Sequence, residues 1–212
     1  MIKIKFLSTL FILFAILFVF GCDQATKQNN TIQNADGVRK LLSDSSLTQE
    51  EIDGNLYHSI KYQFSIRFPE KWIFKKMLDP FIIFNMQKDS AKSFSLIKSP
   101  LGQVVISNTM SDKDIEDIKD ENIQEMLALH YTVISDNLEK RLFHNVPALF
   151  SFSVIKGKLG DIENVEMVSS TYLFNLKDGT LVEFTGSTPA VFYNKSEQQR
   201  SESVFDSFKF DN

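Results

Sequence analysis

The feature that most constrains the fold of this chain is a strict alternation of apolar and polar residues over residues 59–68. This period of two is typical of a β-strand with one buried face. Pro69 ends the run, because proline has no backbone N–H to donate to a sheet. The apolar positions are Ile60, Tyr62, Phe64, Ile66 and Phe68, and the polar ones are Lys61, Gln63, Ser65 and Arg67.

Similar short runs follow, separated by turn residues such as the Asp79-Pro80 pair. Asp178-Gly179, between two alternating runs, predicts a tight β-hairpin. We predict further strands over residues 72–76, 81–87, 94–98, 104–108, 132–137, 140–143, 148–156, 166–176 and 180–186.

Two helices complete the prediction. The first runs from Asp112 to Tyr131, with Ser111 as its N-cap. The second ends near Asp206, with Asn194 as N-cap and Glu197 closing a capping box. The order of elements predicts an α+β fold, a mainly antiparallel β-sheet flanked by helices, in a single globular domain over residues 56–212. The first helix has a stripe at helical spacing that should face the sheet: Ile115, Ile118, Ile123, Met126, Leu127 and His130.

The N-terminal residues predict a lipoprotein signal peptide over residues 1–21. Lys3 and Lys5 precede an apolar run over 6–20, which is short for a membrane-spanning helix of about 20 residues. Val19-Phe20-Gly21-Cys22 resembles the lipobox of bacterial lipoproteins, although Phe20 is larger than usual. Cys22 is the single cysteine of the chain. We therefore predict cleavage before Cys22 and lipidation on its sulfur; the alternative is a buried Cys22 in an uncleaved anchor helix.

Residues 22–55 are predicted to be a tether with a short helix near residues 37–55, because residues 23–36 are polar and aperiodic. One acyl chain anchors a protein weakly, whereas a diacylglyceryl group with an added N-terminal chain anchors it stably. The expected location is the cell membrane, facing the periplasm. Asp23 resembles the inner-membrane retention signal of enteric Gram-negative bacteria, or it is the first solvated residue of the tether.

Charge excludes some partner classes. The chain has a net charge of −4, and removal of residues 1–21 takes away Lys3 and Lys5 and leaves −6. Neither the basic surface of a nucleic-acid binder nor a Lys/Arg cluster for anionic lipid is visible in the sequence. We expect no nucleic-acid partner, and membrane attachment through lipid on Cys22.

The residues that carry chemistry in other proteins do not form a recognisable site here. His58, His130 and His144 lie in separate segments, while zinc needs three or four converging ligands. No serine has the spacing of a nucleophile elbow. The acidic run that starts at Asp112 lacks the spacing of a calcium-binding loop. Trp72 is expected in the core, with partner binding as the alternative. We predict no catalytic residue, no metal and no cofactor.

A family resemblance supports the fold. Residues 62–72, with Phe68-Pro69 followed by Trp72, resemble the opening motif of the PsbP-like superfamily. Asn145-Val146-Pro147-Ala148 is similar to its Gly-x-Pro-Ala turn, and residues 205–210 are similar to its closing strand. The resemblance, which includes the DcrB-type bacterial lipoproteins, implies an antiparallel sheet flanked by helices. It implies no reaction, and no site residue carries over.

These observations predict a non-catalytic, membrane-anchored protein-binding or assembly module of the cell envelope, with an envelope protein as partner. The alternative is a carrier of a small apolar solute or lipid. In that case aromatic residues such as Phe81, Phe84 and Phe174 would line a cavity instead of filling the core.

Overall fold

The computed structural model describes residues 50–75, 79–88, 92–99, 101, 104–128, 130–159 and 162–211. Cys22, the predicted signal peptide and most of the predicted tether lie outside these residues. Among the residues that the structure describes, no helix is long and apolar enough to cross a membrane.

Two antiparallel sheets form the domain. The small sheet has the order β1-β2-β3-β11, and the large sheet the order β4-β5-β6-β10-β9-β8-β7. The strands are β1 (Glu50–Asp53), β2 (Leu56–Ser59), β3 (Phe64–Arg67), β4 (Ile73–Phe74), β5 (Ile82–Gln87), β6 (Ser93–Lys98), β7 (Thr132–Phe143), β8 (Val146–Leu159), β9 (Ile162–Asn175), β10 (Leu181–Pro189) and β11 (Lys209–Phe210).

Two α-helices accompany the sheets: α1 (Asp112–Ala128) follows β6, and α2 (Lys195–Asp206) follows β10 after a 3-10 turn at Ala190–Phe192. Ser111 caps α1 reciprocally, because its Oγ accepts from the backbone N of Asp114 and its own N donates to the Asp114 carboxylate. The predicted α+β class, a mainly antiparallel sheet with helices, is confirmed.

The alternating segment is a hairpin and not one strand. Residues 60–63 form a turn between β2 and β3, with Gln63 at a positive φ of 54° and Ile60 exposed. Burial therefore follows the alternation only from Tyr62 onward, through Phe64, Ile66 and Phe68. The prediction of one strand over 59–68 is therefore wrong. Residues 50–53, which we placed in a tether with a helical turn, form strand β1, paired with β2.

The long strands extend further than predicted. Residues 132–137 and 140–143 form one strand, β7, because it pairs continuously with β8 past a single irregularity near Val133 and Ser135. His144 and Asn145 turn the chain back with φ of 48° and 69°. Both residues are left-handed, as a two-residue hairpin loop requires. Asn145 stands where the similar family motif has Gly, and asparagine tolerates this region better than most residues.

Residues 104–107 are extended but form no strand, which contradicts the prediction for 104–108. The Asn175 side chain holds this segment in place of a neighbouring strand. Its Oδ1 accepts from the backbone N of Ile106 at 2.8 Å, and its Nδ2 donates to the carbonyl of Val104 at 3.1 Å. A single amide thus satisfies backbone groups that a sheet would otherwise pair.

The main core lies between the small sheet with α2 and one face of the large sheet. Phe184 on β10 is its centre, with ring centroids 4.8 Å from Phe205, 5.7 Å from Phe84 and 5.9 Å from Phe208. A smaller aliphatic cluster covers the opposite face of the large sheet, where Ile115 and Ile118 of α1 pack beside it. The buried members of that cluster are Ile106, Leu149, Leu173 and Leu181.

Candidate binding surface at the end of strand β10

The candidate surface is the short connection between β10 and α2. Pro189 ends β10, since it has no N–H for a further ladder bond, and pairs last with Met167. The chain then makes one 3-10 turn, closed by a bond from the Tyr193 backbone N to the Ala190 carbonyl at 3.0 Å. This turn presents Val191 and Phe192, which we call the apolar ridge.

Helix α2 fixes the ridge from one side. The Oδ1 of Asn194 accepts from the backbone N of Ser196 at 3.0 Å and of Glu197 at 3.1 Å, which satisfies two donors of the first helical turn. The predicted N-cap is confirmed. The Glu197 carboxylate does not follow the prediction: it is buried and its Oε2 contacts Lys92 Nζ at 2.9 Å and Arg200 Nη1 at 2.8 Å.

The large sheet fixes the ridge from below. The Tyr193 ring lies 5.9 Å from the ring of Phe152 on β8. Burial raises the pKa of the Tyr193 phenol, and the nearby Glu202 carboxylate adds to this rise. The Tyr193 phenol is therefore uncharged near neutral pH, and its half-buried ring packs beneath the turn. Because both flanks are held, the ridge is presented with its backbone already ordered.

Both ridge side chains are exposed, Val191 more than Phe192. Val191 is 85 % exposed, the highest value of any large apolar side chain that the structure describes, and Phe192 is 53 % exposed. In contrast, Phe84, Phe174 and Phe184 are at most 1 % exposed. Lys92 Nζ lies 5.4 Å from the centroid of Phe192 at the rim of the ridge. The arrangement can bury an apolar surface against a partner.

The structure keeps the three histidines apart. His58, on β2, lies between carboxylates, with Nε2 2.9 Å from Asp211 and Nδ1 3.5 Å from Glu51. His144 contacts the Phe205 carbonyl at 2.9 Å through Nε2. His130 is exposed just after α1, although its place in the helical stripe predicted partial burial; the helix ends at Ala128, before the stripe reaches it.

A serine, a tryptophan and an acidic residue that could carry chemistry make ordinary structural contacts instead. Ser187 shares a hydrogen bond of 2.9 Å with Ser169 across the sheet. Trp72 packs on Phe94 with centroids 5.3 Å apart, as expected of a core residue. Asp112 is solvated and meets only Lys140 at 3.3 Å in the described part of the chain. Within that part no group of three histidine, cysteine or acidic residues could hold a metal ion.

The aromatic residues considered as the lining of a carrier cavity do not share one site. Phe84 and Phe174 are fully buried in the main core. Phe174 lies 4.6 Å from Phe143 and 5.6 Å from Phe208, measured between ring centroids, so its neighbours are other rings. Phe81, in contrast, is 37 % exposed at the start of β5.

The apolar ridge was missed in the sequence. Its signal is weak but physical: two large apolar residues stand between Pro189, which stops a strand, and Asn194, which starts a helix. Neither residue belongs to a periodic element that could bury it. Large apolar residues confined between two such boundaries are candidates for exposure.

Comparison with known proteins gives likenesses in fold only. No family model matches the chain, and no curated protein matches it in sequence. The solution structure of cyanobacterial PsbP (CyanoP) from Synechocystis sp. PCC 6803 is similar with a TM-score of 0.49 and 16 % identity, over 75 % of this chain and 94 % of that one.

A crystal structure from Bacteroides thetaiotaomicron VPI-5482 is similar with a TM-score of 0.47 and 13 % identity. The match covers 76 % of this chain and 50 % of that protein, so this chain spans half the length of that one. Neither likeness bears on function.

Proposed function

We propose that this protein is a non-catalytic accessory module of the cell envelope, anchored by lipid on Cys22, that binds another envelope protein through the apolar ridge. The exposure of Val191 and Phe192 on a turn whose backbone is already held carries the proposal. We also propose that the protein is a lipoprotein of the DcrB type.

The ridge has the properties of a small binding hot spot. Burial of a valine or phenylalanine side chain contributes about 1.5–3 kcal/mol each, and ordered groups lose little entropy on binding. Hot spots combine such apolar anchors with a surrounding polar rim. Here the exposed residues Asn194 and Lys195 follow the ridge and supply a polar, positively charged rim. A partner with an apolar pocket and an acidic border fits this chemistry.

Membrane attachment supplies the second part of the proposal. The Val19 to Cys22 motif behind an apolar run supports lipidation of Cys22 and a location in the cell membrane facing the periplasm. An attached domain meets its partner at a high effective concentration, so a two-residue anchor can suffice for function.

Site-specific crosslinking in intact cells tests the ridge. A photoreactive phenylalanine analogue at position 192 should give a reproducible protein adduct, identified by mass spectrometry. The same analogue at Leu142, which is 60 % exposed on the edge strand β7, is the matched control. The affinity of the purified pair should then fall at least about tenfold with Phe192→Ala. Equal crosslinking at both positions would refute the ridge as the binding surface.

The anchor is tested separately. Cys22→Ser should abolish lipid labelling and release or mislocalise the protein, while the unfolding transition of the domain stays unchanged. Full lipid labelling of that variant would contradict the proposal. Asp23→Ser decides between the two interpretations of Asp23: a change from inner to outer membrane identifies a retention signal, and an unchanged location identifies a tether residue.

A further inference from the structure

The opposite end of strand β10 carries a cluster of lysines that the sequence does not display. Strand β10 begins after the hairpin of Lys177 and Asp178, which packs beside the turn of residues 60–63. Between these two turns lies a shallow depression of about 160 Å³. It is lined by Lys61, Tyr62, Gln63, Lys177 and Asp178.

Three lysines lie in or beside this depression. Lys61 and Lys177 line it, and the Nζ atoms of Lys61 and Lys98 lie 4.9 Å and 5.8 Å from the centroid of the Tyr62 ring, which also lines it. We call Lys61, Lys98 and Lys177 the lysine cluster. They come from three separate segments, which is why the sequence led us to expect no cluster of basic residues.

The neighbouring carboxylates have other partners. Glu50 accepts a hydrogen bond from the Tyr57 hydroxyl at 2.9 Å, Asp178 from the backbone N of Thr180 at 2.9 Å, and Asp211 contacts His58 at 2.9 Å. Among the described residues, none of the three clustered lysines is in an ion pair. Three lysines thus stand beside a depression that one carboxylate, Asp178, also lines, so positive charge prevails here on a protein whose net charge is negative.

The point at which the N-terminal segment joins the domain lies at the same end. Glu50, the first residue of β1, pairs with Ser59, which immediately precedes the 60–63 turn. Only 27 residues separate Cys22 from Glu50. A bilayer that holds Cys22 is therefore joined to the domain at the end that carries the lysine cluster.

We infer that the lysine cluster is the membrane-facing surface of the domain and binds anionic phospholipid headgroups. This inference rests on the proposed attachment of the chain to a membrane near Cys22. Each lysine near an anionic bilayer strengthens attraction roughly fivefold. Three lysines supplied by one rigid surface suffice to orient a domain that is already attached. The apolar ridge, at the other end of β10, then points away from the bilayer.

Hydrogen-exchange mass spectrometry on reconstituted vesicles tests the inference. The full chain, purified from cell membranes in detergent, is placed in vesicles of phosphatidylcholine alone or with one third phosphatidylglycerol. Exchange in peptides that contain residues 60–63 and 176–180 should slow about fivefold or more in the anionic vesicles. Peptides around residues 190–193 should exchange equally in both. The difference should vanish at 1 M salt, where screening acts within about 3 Å.

Matched charge variants complete the test. Lys61→Gln, Lys98→Gln and Lys177→Gln together should abolish the difference between the two lipids. Lys156→Gln, Lys158→Gln and Lys195→Gln remove the same charge elsewhere and should preserve it. Exchange that is independent of lipid composition, slowing that survives the first triple variant, or slowing at residues 190–193 instead would each overturn the inference.

The two proposals fail in distinguishable ways. The mass of the N-terminal peptide shows whether Cys22 is lipidated, whereas the exchange difference depends only on a membrane-attached chain and its lysines. An unmodified Cys22 with a clear exchange difference would refute the lipoprotein proposal and support the lysine surface. A lipidated Cys22 without that difference would do the reverse.

Discussion

The two ends of strand β10 differ in chemistry and in what holds them. The hairpin end is charged, and local bonds such as that from the Thr180 backbone N to Asp178 shape its turn. The ridge end is apolar and is held by contacts between distant residues, such as Lys92 with Glu197 and Phe152 with Tyr193. By strand geometry the two ends of this nine-residue strand are about 26 Å apart.

Strand β10 thus carries two chemically different surfaces, one at each end. Substitutions in the hairpin turn act through its backbone conformation, whereas the position of the ridge depends on the core beneath it. The common support of both ends is Phe184, midway along β10 and fully buried. The predictions below test how far the ends are independent of this centre and of each other.

The largest effect is expected at the centre. Phe184→Ala removes a ring that contacts Phe84, Phe205 and Phe208, and should lower the free energy of unfolding by about 3–5 kcal/mol. Denaturant titration measures this change.

Phe192→Ala is the matched control for Phe184→Ala, because it removes the same side chain from the ridge. Its effect on the unfolding free energy should stay within about 0.5 kcal/mol, since the ring is 53 % exposed. Comparable losses in the two variants would show that the ridge contributes to folding and would break the distinction between centre and end.

The next effect concerns Gly186, which lies on β10 between Phe184 and the ridge. A Cβ on Gly186 would clash with the ring of Phe94, which is only 3 % exposed and cannot move freely. Gly186→Ala should therefore destabilise the domain by about 1–3 kcal/mol, measured by thermal or denaturant unfolding. A smaller ring offers a rescue: Phe94→Leu in the same chain should recover part of the loss, and additive losses would contradict steric conflict as the cause.

The hairpin end should respond through its backbone alone. Gly179 has a φ of 85°, and a Cβ there would meet no atom within 4 Å. Gly179→Ala should cost about 1–2 kcal/mol from the left-handed conformation. Gly179→Asn is the control and should cost less, because asparagine tolerates this region better. Equal losses for alanine and asparagine would point to a cause other than backbone conformation.

The smallest effect is electrostatic and lies near the lysine cluster. The hydrogen bond with Asp211 is the largest cause that raises the pKa of His58, and Glu51 adds to it, while burial acts in the opposite direction. Because the pKa in the folded state is raised, His58 stabilises the domain fully below its ordinary pKa of about 6.5. This stabilisation is lost as the pH rises through the higher folded value.

The contribution of His58 should be under about 1 kcal/mol, as for other partly exposed pairs. The difference in unfolding free energy between the unmodified chain and His58→Gln, measured from pH 5 to pH 8, isolates it. A difference that does not shrink toward pH 8 would contradict the assignment. Asp211→Asn should reduce the pH dependence, because it removes the main partner.

The local features of the fold could be predicted from the sequence. Asp178-Gly179 gave its hairpin, Ser111 and Asn194 gave both helix caps, and the α+β class followed from the order of periodic segments. Each of these depends on residues within a few positions of one another. Residues 104–107 could not be assigned in this way, because their extended backbone is held by Asn175, about 70 residues away.

The sequence by itself determined the fold class and the chain reversal at Asp178-Gly179. It could do so because periodicity and turn residues act over short stretches of chain. Only the tertiary structure decided that Val191 and Phe192 are exposed and that Lys61, Lys98 and Lys177 share one surface. Exposure and charge clustering depend on which distant segments become neighbours, and strand pairing together with the packing of the two sheets and α2 fixes that.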